Sequence, residues 1–242
     1  RVLYPTNAKE GYELTVEAFN WAEKYRTPVV LLTDKEVGMT TESLDYNKLN
    51  APPNANRHVI TDHDADYENW KMYGFDSPDM IAKFAPVGGK VKVTATGSAH
   101  NANGYLKKND PETLATLKHL EDKIQAHRDE MVIVKEDHEK EADTLVISFG
   151  ITARTMKDAV KKARAQGSKV SSLTIYSMFP IPKKSILKAA KGCKNIIVAE
   201  ENINGQYRML LEPLLKDFNI IGINKLGSMI TPDEITERIV TL

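Results

Sequence analysis

The sequence predicts an α/β protein of mostly parallel sheets with helices on both faces. Two observations carry that reading. Across residues 140–242, short runs rich in Val, Ile and Leu alternate with stretches whose apolar residues return every three or four positions. Near the start, Pro28-Val29-Val30-Leu31-Leu32-Thr33-Asp34 is a continuous apolar run, the pattern of a strand buried on both faces of a parallel sheet. Strands and helices in strict alternation stack as a three-layer sandwich.

Taken in order, Arg1-Val2-Leu3-Tyr4-Pro5 reads as the middle of a strand, with neither an initiator Met nor the apolar stretch of a secretory signal, so further chain is expected upstream. Residues 10–26 follow as a helix with two apolar faces. Leu14, Ala18, Trp21, Ala22 and Tyr25 line one, and Tyr12, Val16 and Phe19 the other. One face should cover a sheet and the other meet a second domain or subunit. The run from Pro28 ends at Thr33 and Asp34, where an α/β sheet offers its functional edge.

Residues 35–90 are polar and punctuated by Pro52, Pro53, Pro78, Pro86, Gly74, Gly88 and Gly89, an irregular segment of functional, interfacial or disordered kind. A short strand over Lys90–Thr96 should lead into a glycine-bounded turn holding His100 and Asn101. Asp110 and Pro111 open a long helix with Leu114, Leu117, Ile124 and Met131 as its apolar seam. Beyond it come a strand over Thr144–Gly150, a helix striped by Ala153, Met156, Val160 and Ala163, and a strand over Lys169–Tyr176. A short helix over Pro182–Ala190 and a strand over Asn195–Ala199 follow. A helix over 205–217 is bent or broken by Pro213, and Ile220–Asn224 is the last strand. Thr231-Pro232-Asp233-Glu234 is a capping box for a final helix packing through Ile235 and Ile239. The expected organisation is residues 1–90, a linker with strand, turn and helix over 91–140, and an α/β domain over 141–242.

The totals narrow the function. Thirty-three basic residues balance thirty-three acidic ones, so no net field recruits nucleic acid or an anionic membrane surface. No apolar run approaches the roughly 20 residues that cross a bilayer. The single cysteine, Cys193, precludes an intrachain disulfide, a Cys₄ iron–sulfur cluster and a Cys-rich zinc site, and suits a reducing cytoplasm. Beside Gly192 it reads as a packing residue.

No Gly-x-Gly-x-x-Gly, no phosphate loop, no Gly-x-Ser-x-Gly elbow and no Gly-Asp-Gly occurs. His58, Asp62, His63, Asp64 and Asp66 form either an oxygen/nitrogen metal cluster or a solvated polar loop. His100 and Asn101 either bind a ligand or partner chain or tie the turn to its own backbone. Glu200, Asn202, Gly205 and Gln206 leave a strand and enter a helix. Either that helix start binds an anion, or Asn204 caps it and the segment makes a polar domain contact.

Pro5-Thr6-Asn7-Ala8-Lys9-Glu10-Gly11-Tyr12, Ala18 to Val29, and Thr33-Asp34 together resemble the alpha subunit of 2-oxoacid:ferredoxin oxidoreductases. Thr96-Gly97-Ser98-Ala99-His100 resembles that family's threonine–glycine–x–x–histidine turn, with Asn101 and Asn103 where an acidic residue commonly follows. Residues 143–206 resemble a transketolase-C-like domain, in Ser148-Phe149-Gly150 and in Glu200-Glu201-Asn202 with Gly205-Gln206, Ile203-Asn204 being inserted between them. The resemblance implies the end of a pyrimidine-binding domain followed by a transketolase-C-like domain. It also implies oxidative decarboxylation of a 2-oxoacid, 2-oxoglutarate first, with coenzyme A and ferredoxin. Thiamine diphosphate, magnesium and an iron–sulfur cluster would sit on a beta subunit or further chains of a cytoplasmic hetero-oligomer, with the catalytic residues upstream of Arg1. A transketolase-like enzyme of another type and a non-catalytic α/β interaction module are the alternatives.

Overall fold

In the computed structural model, which describes residues 1–64 and 67–242, the apolar runs of the carboxyl-terminal half form one sheet. The chain runs β1 (Val2–Leu3), α1 (Ala8–Tyr25), β2 (Val30–Leu31), α2 (Lys35–Met39), α3 (Pro111–Ala126), β3 (Val134–Asp137), β4 (Thr144–Ser148), α4 (Thr152–Ala165), β5 (Val170–Ile175), β6 (Ser177–Phe179), α5 (Lys183–Ala190), β7 (Asn195–Glu200), α6 (Gln206–Leu211), β8 (Asn219–Asn224) and α7 (Pro232–Val240). Two compact units result, one built from residues 1–15, 30–51 and 132–242, the other from 16–29 and 52–131.

The first unit holds both sheets. The larger has the order β3-β5-β4-β7-β8, with only the edge strand β3 antiparallel. Successive side chains of a strand point to opposite faces, and both faces here are apolar. Leu145, Ile147, Leu173, Ile175, Ile196 and Val198 pack with Ile186 and Leu211 on one side. Val146, Val170, Ile197 and Ala199 pack with Met156, Val160, Ile235 and Ile239 on the other. Each of these Val, Leu, Ile and Met side chains contributes roughly 1.5–3 kcal/mol by leaving water, which fixes the three-layer sandwich that the alternation predicts. The capping box at Thr231 and Glu234 is present. α6 stops at Leu211, short of the 205–217 expected, because Pro213 has no N–H to continue the ladder. β3 and β6 carry no apolar run, and the sequence pattern misses both.

The smaller sheet has the order β2-β1-β6. Its edge corrects one expectation: Val30, Leu31 and Leu32 are exposed, and the strand is two residues long. Among the described residues β2 pairs only with β1, so its other side has no sheet neighbour to bury it. α1 buries Leu14, Trp21 and Tyr25 and leaves Tyr12 and Phe19 of its second apolar face exposed.

In the second unit, Asp110 caps α3 through Thr113 N at 3.1 Å, with Pro111 in the first turn. Its seam differs from the expectation. Ile124 and Met131 are buried, but Leu114 and Leu117 are 54% and 44% exposed while Thr113, Thr116, His119 and Lys123 turn inward. The interior they meet is polar. Arg26 Nη1 donates to the carbonyls of Met72, Ala82 and Lys83, and Lys123 Nζ to that of Arg26 at 3.0 Å. No strand forms over Lys90–Thr96, whose residues meet the rest of the unit through turns; the described residues of this unit hold only the bridges Val59–Phe84 and His100–Leu106.

Candidate functional site

The carboxyl ends of β2, β4 and β7 carry most of the residues that the sequence singles out. Asp34 follows β2 and reaches the turn after β4: its Oδ2 accepts from Ile151 N at 2.6 Å and its Oδ1 from Tyr4 Oη at 2.8 Å. That turn needs glycine. Gly150 has φ +56°, and a Cβ there would lie 2.4 Å from Asp34 Oδ2. Burial first, and the Asp34 carboxylate second, raise the Tyr4 phenol above its ordinary range, so it stays a donor. Thr33 is exposed, its hydroxyl turned to the Asp34 carbonyl at 3.3 Å.

Glu200 ends β7 and is 1% exposed. Its carboxylate accepts from Tyr207 N at 2.9 Å, Arg208 N at 3.0 Å and Asn202 Nδ2 at 2.6 Å. Asn202 Oδ1 in turn accepts from Gly205 N at 2.7 Å and Gln206 N at 3.2 Å. The cap on α6 is therefore Glu200 with Asn202, not Asn204, which is exposed; Gly205, with φ +69°, makes the bend that brings them together. Glu201 reaches back to α4, accepting from Thr152 Oγ1 and Ile230 N at 3.1 Å each.

α1 starts in the same way. Glu10 accepts from Thr6 N at 3.0 Å and from the Tyr176 phenol at 2.7 Å. Glu42 accepts from Ala8 N at 3.0 Å, and that bond, with Arg154 second, holds its carboxyl below the usual range. Sequence reasoning assigns no individual role to Tyr4, Glu10, Glu42, Tyr176 or Glu201, although Glu10 and Glu201 fall within the resembling stretches, since each has a partner far along the chain.

His100 and Asn101 lie in the second unit. Asn101 Oδ1 accepts from Asn103 N at 3.2 Å and Tyr105 N at 3.1 Å, and His100 Nδ1 lies 3.1 Å from the Asn101 carbonyl. The His100 ring rests 4.0 Å from that of Tyr73. Gly104 allows the turn to close, since a Cβ there would be 2.1 Å from the Thr94 carbonyl. In the loop from His58, Asp64 accepts from Thr61 N at 2.7 Å and pairs with Lys83, and Asp62 pairs with Lys90 at 3.4 Å. Asp66 lies outside the described residues. Among the described residues no three His, Cys, Asp or Glu side chains are placed to hold a metal ion. Cys193 packs against the β-sheet core, and burial raises its thiol.

Two family models fit this architecture. Residues 1–118 match the thiamine-diphosphate-binding domain of pyruvate flavodoxin/ferredoxin oxidoreductases, and residues 142–234 match core domain II of pyruvate:ferredoxin oxidoreductase. The chain belongs to the 2-oxoacid:ferredoxin oxidoreductase family, as an alpha subunit. It is 32% identical to the 2-oxoglutarate synthase subunit KorA of Methanothermobacter marburgensis over 98% of its own length and 62% of the relative's. It is 30% identical to the ketoisovalerate oxidoreductase subunit VorB of the same organism, over 93% and 55%. The chain thus spans less than two thirds of these relatives. Its fold is that of the 2-oxoglutarate:ferredoxin oxidoreductase of Magnetococcus marinus, with a TM-score of 0.83 and 24% identity over 98% of this chain and 41% of that one.

Three helix starts of the chain fit a diphosphate group poorly. A diphosphate needs unsatisfied N–H groups or cations. The starts of α1, α4 and α6 instead hold carboxylates of the chain itself, which would repel a second anion. One cysteine cannot ligate a Cys₄ cluster. Among the described residues no helix is long and apolar enough to cross a membrane.

Proposed function

We propose that this chain serves as part of the alpha subunit of a cytoplasmic 2-oxoacid:ferredoxin oxidoreductase, with 2-oxoglutarate as the leading substrate. The reaction is oxidative decarboxylation to acyl-coenzyme A and CO₂, with electrons passing to ferredoxin. Thiamine diphosphate supplies the electron sink for that chemistry; it, magnesium and the iron–sulfur cluster reside on a beta subunit or further chains of a hetero-oligomer. Within the alpha subunit, residues 1–90 close the pyrimidine-binding domain, 91–140 link, and 141–242 form the transketolase-C-like domain.

The observation that carries this division of labour is the closure of three helix starts by Glu10 and Glu42, Asp34, and Glu200. Such a chain shapes and supports a site without itself holding the diphosphate. Thr33, His100, Asn101 and Gln206 are the positions we assign to ligand or subunit contact. A branched-chain 2-oxoacid is the second reading, favoured by the similarity to VorB.

The test is co-purification with the cluster-bearing partner. A brown complex that reduces ferredoxin or viologen with 2-oxoglutarate and coenzyme A supports the proposal, and preference for 2-oxoisovalerate selects the second reading. A colourless complex that reduces neither overturns both.

A further inference from the structure

The second unit holds a half-open cavity of about 420 Å³, within the roughly 300–1,000 Å³ of small-molecule sites. Trp70, Phe75 and Met80 supply its apolar wall; Lys71, Lys83, Asp76 and Glu112 line it with charges of both signs, Lys83 being paired with Asp64 and Glu112 accepting from Ala102 N at 3.3 Å. Among the described residues, neither the Lys71 ammonium nor the Asp76 carboxylate has a hydrogen bond or an ion pair. Both are exposed, so they stand at the rim while the aromatic rings lie deeper.

The helix behind the cavity points the same way. α3 presents Thr113, Thr116, His119 and Lys123 inward and its leucines outward. A helix serving only to cover apolar surface would bury the leucines. His119 is 6% exposed and stacks on Phe75, ring centroids 3.9 Å apart and planes 2° from parallel. Among the described residues its Nδ1 has no partner, and an adjoining chamber of about 60 Å³ that it lines shares Ala82 and Thr116 with the larger cavity. A buried polar atom left without a partner costs about 1–3 kcal/mol, so this interior is polar and incompletely satisfied as it stands.

We propose that this cavity binds an α-amino acid with a large apolar side chain. A simple anion would face Asp76 and Glu112, and a simple cation would face Lys71. A zwitterion matches both: its ammonium meets Asp76 and Glu112, its carboxylate meets Lys71, and its side chain lies against Trp70, Phe75 and Met80. The inference is independent of the enzymatic reading above.

The test uses the full chain, L-phenylalanine as probe, and calorimetry with tryptophan fluorescence. Trp21 is 3% exposed with its indole N–H bound to Glu17, so Trp70 is the responsive fluorophore. L-phenylalanine is expected to bind one to one and shift the emission, and Trp70→Phe to abolish the shift. N-acetyl-L-phenylalanine and L-phenylalanine methyl ester should each bind about tenfold more weakly, the loss of one charged hydrogen bond. Asp76→Asn should weaken L-phenylalanine similarly but leave the N-acetyl derivative unchanged, and Lys71→Gln should do the converse with the ester. Both replacements are exposed and keep the fold, which far-UV circular dichroism checks. Absence of binding by L-phenylalanine, L-methionine and L-leucine alike overturns the proposal, as does equal binding of the blocked derivatives.

Discussion

Gly150 and Glu200 each hold a strand end to a helix start, and each can be broken by one atom. Alanine at 150 would bring a Cβ within 2.4 Å of Asp34 Oδ2 at φ +56°, so the Asp34–Ile151 hydrogen bond must lengthen as the backbone strains. Gly192 also has positive φ but nothing within 4 Å of its would-be Cβ. Gly150→Ala should therefore destabilise by about 1–3 kcal/mol more than Gly192→Ala, measured by urea unfolding; equal costs would show that Asp34 moves freely. Glu200→Gln replaces an acceptor by an amide that can set a donor against Tyr207 N or Arg208 N. A loss of about 1–3 kcal/mol follows from one unmade buried bond, whereas Asn204→Ala at an exposed position should stay within about 0.5 kcal/mol. The sequence marks Asp34, Glu200 and Asn202 because strand ends are visible in it. It does not reveal the distant partners of Tyr4, Glu10 and Glu201, which lie 29 to 166 positions away.

At the scale of elements, apolar character predicts burial only where a neighbouring element exists to supply it. β4, β5 and β7 are read correctly because each sits between two strands and two helical layers. The same composition misleads at β2, an edge strand, and in α3, whose leucines face solvent while threonines face a polar interior. Leu114→Gln and Leu117→Gln should therefore change stability by less than about 0.5 kcal/mol, and Ile124→Ala should cost about 2–5, read from denaturation midpoints. The turn following α3 adds a pH dependence. Glu130 accepts from Tyr25 Oη at 3.0 Å and meets His127 Nδ1 at 2.7 Å and the Lys24 ammonium. His127, then Lys24, holds the Glu130 carboxyl down at about 2, and Glu130 holds the His127 imidazole above 6.5. The Glu130 contribution is complete above its ordinary value of 4.5 and is lost as pH falls toward 2. The His127 contribution is complete below 6.5 and is lost as pH rises through its raised value. The stability difference between the wild type and His127→Gln should therefore be largest near pH 5 and shrink above pH 7. A difference that grows with pH would remove the ion pair from the account.

For the molecule as a whole, what was legible followed the density of regular structure. Residues 141–242 repeat one strand–helix rule with an apolar interior on both faces, and every strand and helix predicted there forms. Residues 35–90 contain one α-helix and two single turns of 3₁₀ helix among the described residues, so their interactions are set one residue at a time. The pattern of charges leads to the last prediction. Carboxylates at the starts of α1, α4 and α6 satisfy the N–H groups that a diphosphate would otherwise take, and an anion approaching them would meet negative charge already hydrogen-bonded in place. Titrating this chain with thiamine diphosphate and magnesium in a calorimeter should therefore give no binding at micromolar concentrations, while a complex with the proposed beta subunit should bind. Releasing one closure separates this cause from others. Asp34→Asn keeps the shape but removes one charge beside α4, so weak binding of inorganic phosphate that appears in that variant alone would identify the carboxylate as the barrier. Tight thiamine-diphosphate binding to the unaltered chain would mean that the cofactor reaches groups other than these helix starts, and the division of labour between subunits would have to be redrawn.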